Sequence, residues 1–235
     1  DVQPNDDFGC DMNDLSDPAI DVYDNAMFII ALDYLLEMAP DSPQASRWKS
    51  LREGIERNVR AHLWDEKRQK FIPHIYPEKS PIPEGFDELA IHYHGGTAVA
   101  IEAGLLSKDE IRTVNAQMLE NVRLSGMPSI GLTLYPVYPD GFFHGGMSKA
   151  YLYQNGGDWT WFGGRMIQQL VVNGMVEEAY AEIHPMIERV IQNDGFYEWY
   201  GKGGVPSGSG NFKGSAGVLS KAIELLRDWA EKNKS

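Results

Sequence analysis

Two kinds of helix alternate along this chain, and that alternation limits its fold more than any other feature. Residues 19–39 carry Val22, Met27, Phe28, Ile29, Ile30, Leu32, Leu35, Leu36 and Met38, apolar side chains on nearly every face. Such a helix is expected to be buried on most sides. Residues 44–63 differ. Ala45, Trp48, Leu51, Ile55, Val59 and Leu63 recur at three- and four-residue steps, which predicts a one-sided surface helix. The pair then recurs. Residues 89–106 and 159–174 read as buried helices, 108–122 and 176–191 as amphipathic ones, and 215–232 as a last helix. Asp17 is the expected N-cap of the first helix, with Pro18 at its first helical position. Inner starts lie roughly 55 to 70 residues apart, too far for a short-repeat solenoid.

The connections sharpen this picture. Links from a buried helix to its amphipathic partner are short. Links back are long: 64–87, 123–157 and 192–214. Long loops in a compact domain are usually functional. All three precede a buried helix, so they are expected to gather at one end. They are rich in Tyr, Trp, Phe, His, Asp and Gly. The pattern predicts an all-α protein, an α/α toroid with a loop-built cleft.

Composition narrows the partners. A net charge of −13 over 235 residues argues against nucleic acid and anionic membrane, which need clustered Lys and Arg. No apolar run is long enough to span a bilayer. Cys10 is the single cysteine and has no partner for an internal disulfide. A soluble protein is expected, with cytoplasm and periplasm both open. The opening stretch "DVQPNDDFGCDMNDLSD" reads as the middle of a loop, so the chain is expected to be a processed product or part of a longer protein.

The densest chemistry lies in "YQNGGDWTW", residues 153–161. Tyr153, Trp159 and Trp161 offer aromatic faces. Gln154, Asn155 and Asp158 offer donors and acceptors beside them. A sugar ring fits that mixture, since its apolar face stacks on aromatics while its rim hydrogen-bonds. Trp159 and Trp161 are two apart and point to different sides of a helix. Asp158 has two readings, a helix cap or a contact to sugar hydroxyls. His92 and His94 do not share a helical face, so paired metal ligation is poor, and neither metal nor cofactor is expected. His94 reads as a core histidine or as a donor lining the cleft. The glycines of "GKGGVPSGSG" lack the Lys-Ser/Thr pair of a phosphate loop and are expected to let backbone pass close to a ligand.

Several stretches together resemble six-hairpin glycosidases of the mannosylglycerate-hydrolase-like group, related to glycoside hydrolase family 63 and to the trehalases of family 37. "YQNGGDW" resembles that group's Y-W-R-G-P-V-W box, with Asn155 and Asp158 departing from it. "GFYEWYGKGGVPSGSGNFKGSAGV", 195–218, follows the order of its G-F-x-E box, Gly-rich stretch and last helix start. "DVYDNAMF" followed by "HLWDEKRQKF" matches its helix-pair spacing. The resemblance implies an (α/α)6 toroid, of which about seven helices make only the C-terminal part. It implies one catalytic domain over 1–235, with the missing helices on an upstream segment or a second polypeptide.

For function, the resemblance implies inverting hydrolysis of a small α-linked disaccharide or glycosyl-glycerate-like substrate, with no cofactor. The general base falls on Glu198, flanked by Tyr197 and Trp199, and Trp199 joins the sugar-site candidates. "FGCDMND" supplies Asp11 as the acid, with Asp7, Asp14 or an upstream residue as competitors. Two carboxyl groups roughly 6.5–9.5 Å apart leave room for the attacking water. Two other readings stay open at this point. One is a sugar epimerase using His94 and His184 across one cleft. The other is a non-catalytic carbohydrate binder.

Overall fold

A computed structural model describes residues 19–77, 79–143 and 145–234. Among these residues the seven expected helices appear, two of them with shifted starts: α1 (Val22–Met38), α2 (Ala45–His62), α3 (His94–Glu102), α4 (Lys108–Ser125), α5 (Thr160–Val172), α6 (Val176–Gln192) and α7 (Lys213–Lys232). Helices α1, α3, α5 and α7 pack side by side as an inner row. Helices α2 and α6 lie outside it, on α1 and α5. Helix α4 joins the outer layer through Asn115, which reaches Glu182 of α6.

Helices α5 and α7 run parallel. Gly164 of α5 lies against Val218 of α7, and Gly214 against Trp161. The core lies between the layers and contains Ile29, Val99, Met118, Met166, Leu170, Ile183 and Leu219.

Two starts differ from expectation. The first helix begins at Val22, and its cap is Asp21, whose carboxylate accepts from Asp24 N at 2.8 Å; Asp17 and Pro18 lie outside the described residues. Helix α3 begins at His94 rather than 89. The residues before it form a 3-10 turn and a short strand, so a helical pitch does not apply to His92.

Burial along the inner row is uneven. Every residue of α3 from His94 to Ile101 is buried. Helix α1 was expected to be buried on most sides, but it buries one face only, through Val22, Ala26, Ile29 and Leu32. Phe28 is 48% exposed and Met38 74%. The reason is position: α3 has inner neighbours on both flanks, whereas among the described residues α1 has one on a single flank.

The long loops carry six short strands, two residues each, which an all-helical reading leaves out. β1 (Trp64–Asp65) pairs with β2 (Lys70–Phe71), β3 (His92–Tyr93) with β4 (Leu134–Tyr135), and β5 (Trp199–Tyr200) with β6 (Pro206–Ser207), all antiparallel. Further backbone bonds tie one loop to the next. Ile20 bridges Ile75, Gly95 N donates to Thr133 O, and Asp158 bridges both Leu132 and Tyr200. The loops that precede α3, α5 and α7 therefore form one connected layer at the N-terminal ends of the inner helices.

Candidate active site

The layer rests on Asp158. It is fully buried, and its backbone bridges Leu132 on one side and Tyr200 of β5 on the other. Ser129 Oγ lies 2.7 Å from Oδ2 and 2.9 Å from Oδ1. Arg189 of α6 places Nη1 2.8 Å from Oδ1. The same guanidinium donates to Thr160 Oγ1 at 2.6 Å and stacks 4.0 Å above the Tyr200 ring. Two buried charges are tolerable only with this degree of mutual satisfaction. A Cβ on Gly131 would stand 2.2 Å from Asp158 Oδ1, so only glycine leaves the carboxylate its place. Asp158 neither caps α5, whose N-cap is Trp159, nor faces solvent. It is a foundation.

Above it the chain turns sharply. Tyr153 has φ +51° and Gly156 φ +84°. A Cβ on Gly157 would meet Tyr153 O at 2.1 Å, which explains the paired glycines. Asn155 is fully buried, and its amide is occupied by backbone: Oδ1 accepts from Tyr138 N at 2.9 Å, and Nδ2 donates to Tyr138 O and Lys149 O. It staples the loop rather than presenting an amide to a ligand. Gln154 is exposed, while its backbone carbonyl accepts from Thr133 Oγ1 at 2.8 Å.

The aromatics of this turn converge. Trp159, Phe162 and Trp199 form a cluster with Tyr153, Trp161, Tyr23 and Phe212 packed on it. Tyr153 meets Trp159 edge-on at 4.9 Å, and Trp159 Nε1 donates to Tyr153 O at 3.1 Å. The two tryptophans differ, but not by helical spacing: Trp159 is the extended N-cap and only Trp161 lies on α5. Trp159 is buried, whereas Trp161 is half-buried beneath Arg165, whose guanidinium lies 4.2 Å from the ring and pairs with Glu102.

Glu198 directly precedes Trp199 of that cluster in the chain and is half-buried. The hairpin of β5 and β6 fixes it: its N–H donates to Ser209 O at 3.0 Å, and its Oε2 accepts from Ser209 N at 3.4 Å. A Cβ on Gly208 would come within 2.4 Å of Oε2, and Gly208 sits at φ +70°, so this glycine both makes the turn and clears space for the carboxylate. Thus Tyr153, Trp159, Trp161 and Trp199 share one cluster, and Glu198 is tied to it through the hairpin that carries Trp199. Asp11 lies outside the described residues.

The His94 side chain turns elsewhere, towards α4. It is buried with Nε2 2.9 Å from Asn121 Nδ2, and Nδ1 has no partner. Burial, then the nearby His92 and Lys70, lower its pKa to about 3, so it stays neutral. His184 is exposed on α6 against Tyr180 and lines a separate groove with α7. The two histidines do not face one cleft.

Two features escaped the sequence reading. Arg189 sits on an amphipathic helix and reads there as a solvated charge. Glu88 gathers Tyr138 Oη at 2.6 Å, Tyr76 Oη at 2.8 Å and His74 Nδ1 at 2.8 Å onto one oxygen. Burial alone would raise its pKa; the bonds from His74 and the tyrosines outweigh that and hold it below the ordinary glutamate value. Among the described residues no group of three or more His, Cys, Asp or Glu stands together to hold a metal ion. No described helix is long and apolar enough to cross a membrane.

No protein-family model and no curated protein matches the sequence. Solved structures do. The GH63 mannosylglycerate hydrolase from Thermus thermophilus, in complex with Tris and D-glycerate, superposes with a TM-score of 0.58 over 89% of this chain and 46% of its own, at 16% identity. The chain has part of that fold. The same hydrolase with glucose gives 0.60 over 89% and 48%, at 17% identity. A sialidase gives 0.56 over 79% of this chain and 17% of its own, at 11% identity. The chain spans about half the length of the mannosylglycerate hydrolase structures it matches, and its inner and outer rows are part of a GH63-like toroid.

Proposed function

We propose that this chain carries a glycosidase active site, with Glu198 as the general base of an inverting hydrolysis. The observation that carries the reading is a half-buried carboxylate fixed by a hairpin whose next residue, Trp199, belongs to an aromatic cluster, on the loop layer of a fold found in glycoside hydrolases. Glu198 takes a proton from water as the water oxygen attacks the anomeric carbon. A second carboxyl group protonates the departing oxygen; Asp11 is our candidate. The substrate is a small α-linked disaccharide or a glycosyl-glycerate-like sugar. Trp199, Tyr153 and Trp161 supply stacking faces, and Gln154 is placed for a hydroxyl. Asp158, Asn155 and His94 support the loops that present them. No cofactor enters this scheme.

Epimerisation is disfavoured by the burial of His94 and its distance in the fold from the groove of His184. We also propose that further helical polypeptide, from the same or a second chain, closes the ring. Two apolar edges support this: the flank of α1 with Phe28 and Met38, and the groove of about 590 Å³ between α6 and α7, lined by Ile187, Ile223, Leu226 and Trp229. The test is NMR of the first-formed anomer from glycosyl-glycerate and α-linked disaccharides, wild type beside Glu198→Gln. Inverted product, lost in the variant, supports the reading. Retained activity in Glu198→Gln, or a retained anomer, sinks it.

A further inference from the structure

A buried carboxyl group remains that the hydrolysis does not use. Glu182 of α6 is 7% exposed and faces Asn115 of α4, which is also buried. One bond joins them: Asn115 Nδ2 donates to Glu182 Oε1 at 2.7 Å. The other two oxygens, Asn115 Oδ1 and Glu182 Oε2, are buried and neither has a partner. With Glu182 ionised both are acceptors with nothing to accept from, an arrangement native interiors avoid. One proton changes this. An O–H at Glu182 Oε2 is a donor, and carboxylic acid and amide then match as two planar groups, each giving one bond and taking one.

We propose that Asn115 and Glu182 form a proton-operated clasp between the outer helices α4 and α6, closed by two reciprocal hydrogen bonds when Glu182 is protonated and reduced to one when it ionises. The proton comes from and returns to solvent. The surroundings favour the closed form. Burial raises the Glu182 pKa to about 7, Asn115 opposes this in part, and Glu178, a turn earlier on α6, adds to it. From α4 the flanking side chains on the same buried face are Ile111 and Met118. Among the described residues no cation pairs with Glu182. Arg189, seven residues further along α6, lies on the same helical face, so the clasp sets the seating of the helix that pins Asp158.

The sign follows from linkage. A carboxyl group whose folded pKa is raised favours the fold below its unfolded pKa, and that contribution is lost as pH rises through the folded value near 7. The experiment compares wild type with Glu182→Gln, whose amide keeps the shape and cannot ionise, by urea unfolding at pH 5 and pH 8. Carbon-13 NMR of the Glu182 carboxyl group in the wild type accompanies it. We expect the variant to gain relative to wild type between pH 5 and pH 8, the carboxyl carbon to titrate near pH 7, and α6 amide protection to fall at pH 8 in the wild type alone. A stability difference that stays constant across this range overturns the proposal. So does a carboxyl carbon already ionised at pH 5. All three readouts are independent of glycosidase activity.

Discussion

The heads of α3 and α5 meet the same problem and solve it in opposite ways. Each inner helix starts beneath the loop layer with a buried polar side chain. At α5 the group is Asp158, matched by Arg189, Ser129 and a backbone bridge on each side. At α3 it is His94, kept neutral, with one bond to Asn121 and one nitrogen left over. Pairing gives a firm anchor that fails badly when either partner is lost. Neutralisation is gentler but sets a limit on the acid side. The loop that carries Tyr153 and Trp159 rests on the firm anchor.

That contrast can be broken in order of effect. Arg189→Met leaves the buried Asp158 carboxyl without its cation and should cost about 3–5 kcal/mol in urea unfolding. A loss under 1 kcal/mol would mean that the ion pair anchors little. Gly131→Ala pushes a methyl group into Asp158 Oδ1 and the Trp159 carbonyl and should cost about 1–3 kcal/mol. Its tryptophan fluorescence should shift as Trp159 moves.

His94 predicts a pH effect instead. The unfolded chain binds a proton near 6.5, whereas the folded His94 resists until about 3. Stability should fall as pH drops through that window, with a slope of up to roughly 1.4 kcal/mol per pH unit from this one group. His94→Gln should flatten that slope; an unchanged slope would show that His94 is not its source. At the small end, Gln154→Ala should leave the unfolding midpoint within about 0.5 kcal/mol, because its side chain is exposed. Sugar affinity should weaken if its amide meets a hydroxyl.

The helices were legible because inner and outer faces impose their own spacing on the sequence, as in Ile111, Val114 and Met118 of α4 against the fully buried run of α3. The loop layer was less so. Tyr153, Trp159 and Trp199 announced an aromatic cluster by residue type alone. Asp158 did not announce its partner: Arg189 is 31 positions away on an outer helix, and one buried arginine leaves no mark on an amphipathic pattern. Asn155 looked like a ligand contact because a stapling amide and a binding amide are the same residue. Helix α1 looked buried because hydrophobicity records what a helix needs covered, not whether the cover lies within the described residues.

The backbone bridges between loops also bear on how such a site can change over evolutionary time. Ile20 to Ile75, Gly95 to Thr133 and Asp158 to Tyr200 make a woven surface in which no loop is an independent module. Exchanging a whole loop would unpick the hydrogen bonds of the next. New specificity is therefore easier to reach by substitutions at tips that carry no stitches, such as the Gln154 side chain, than by transplanting segments from a relative.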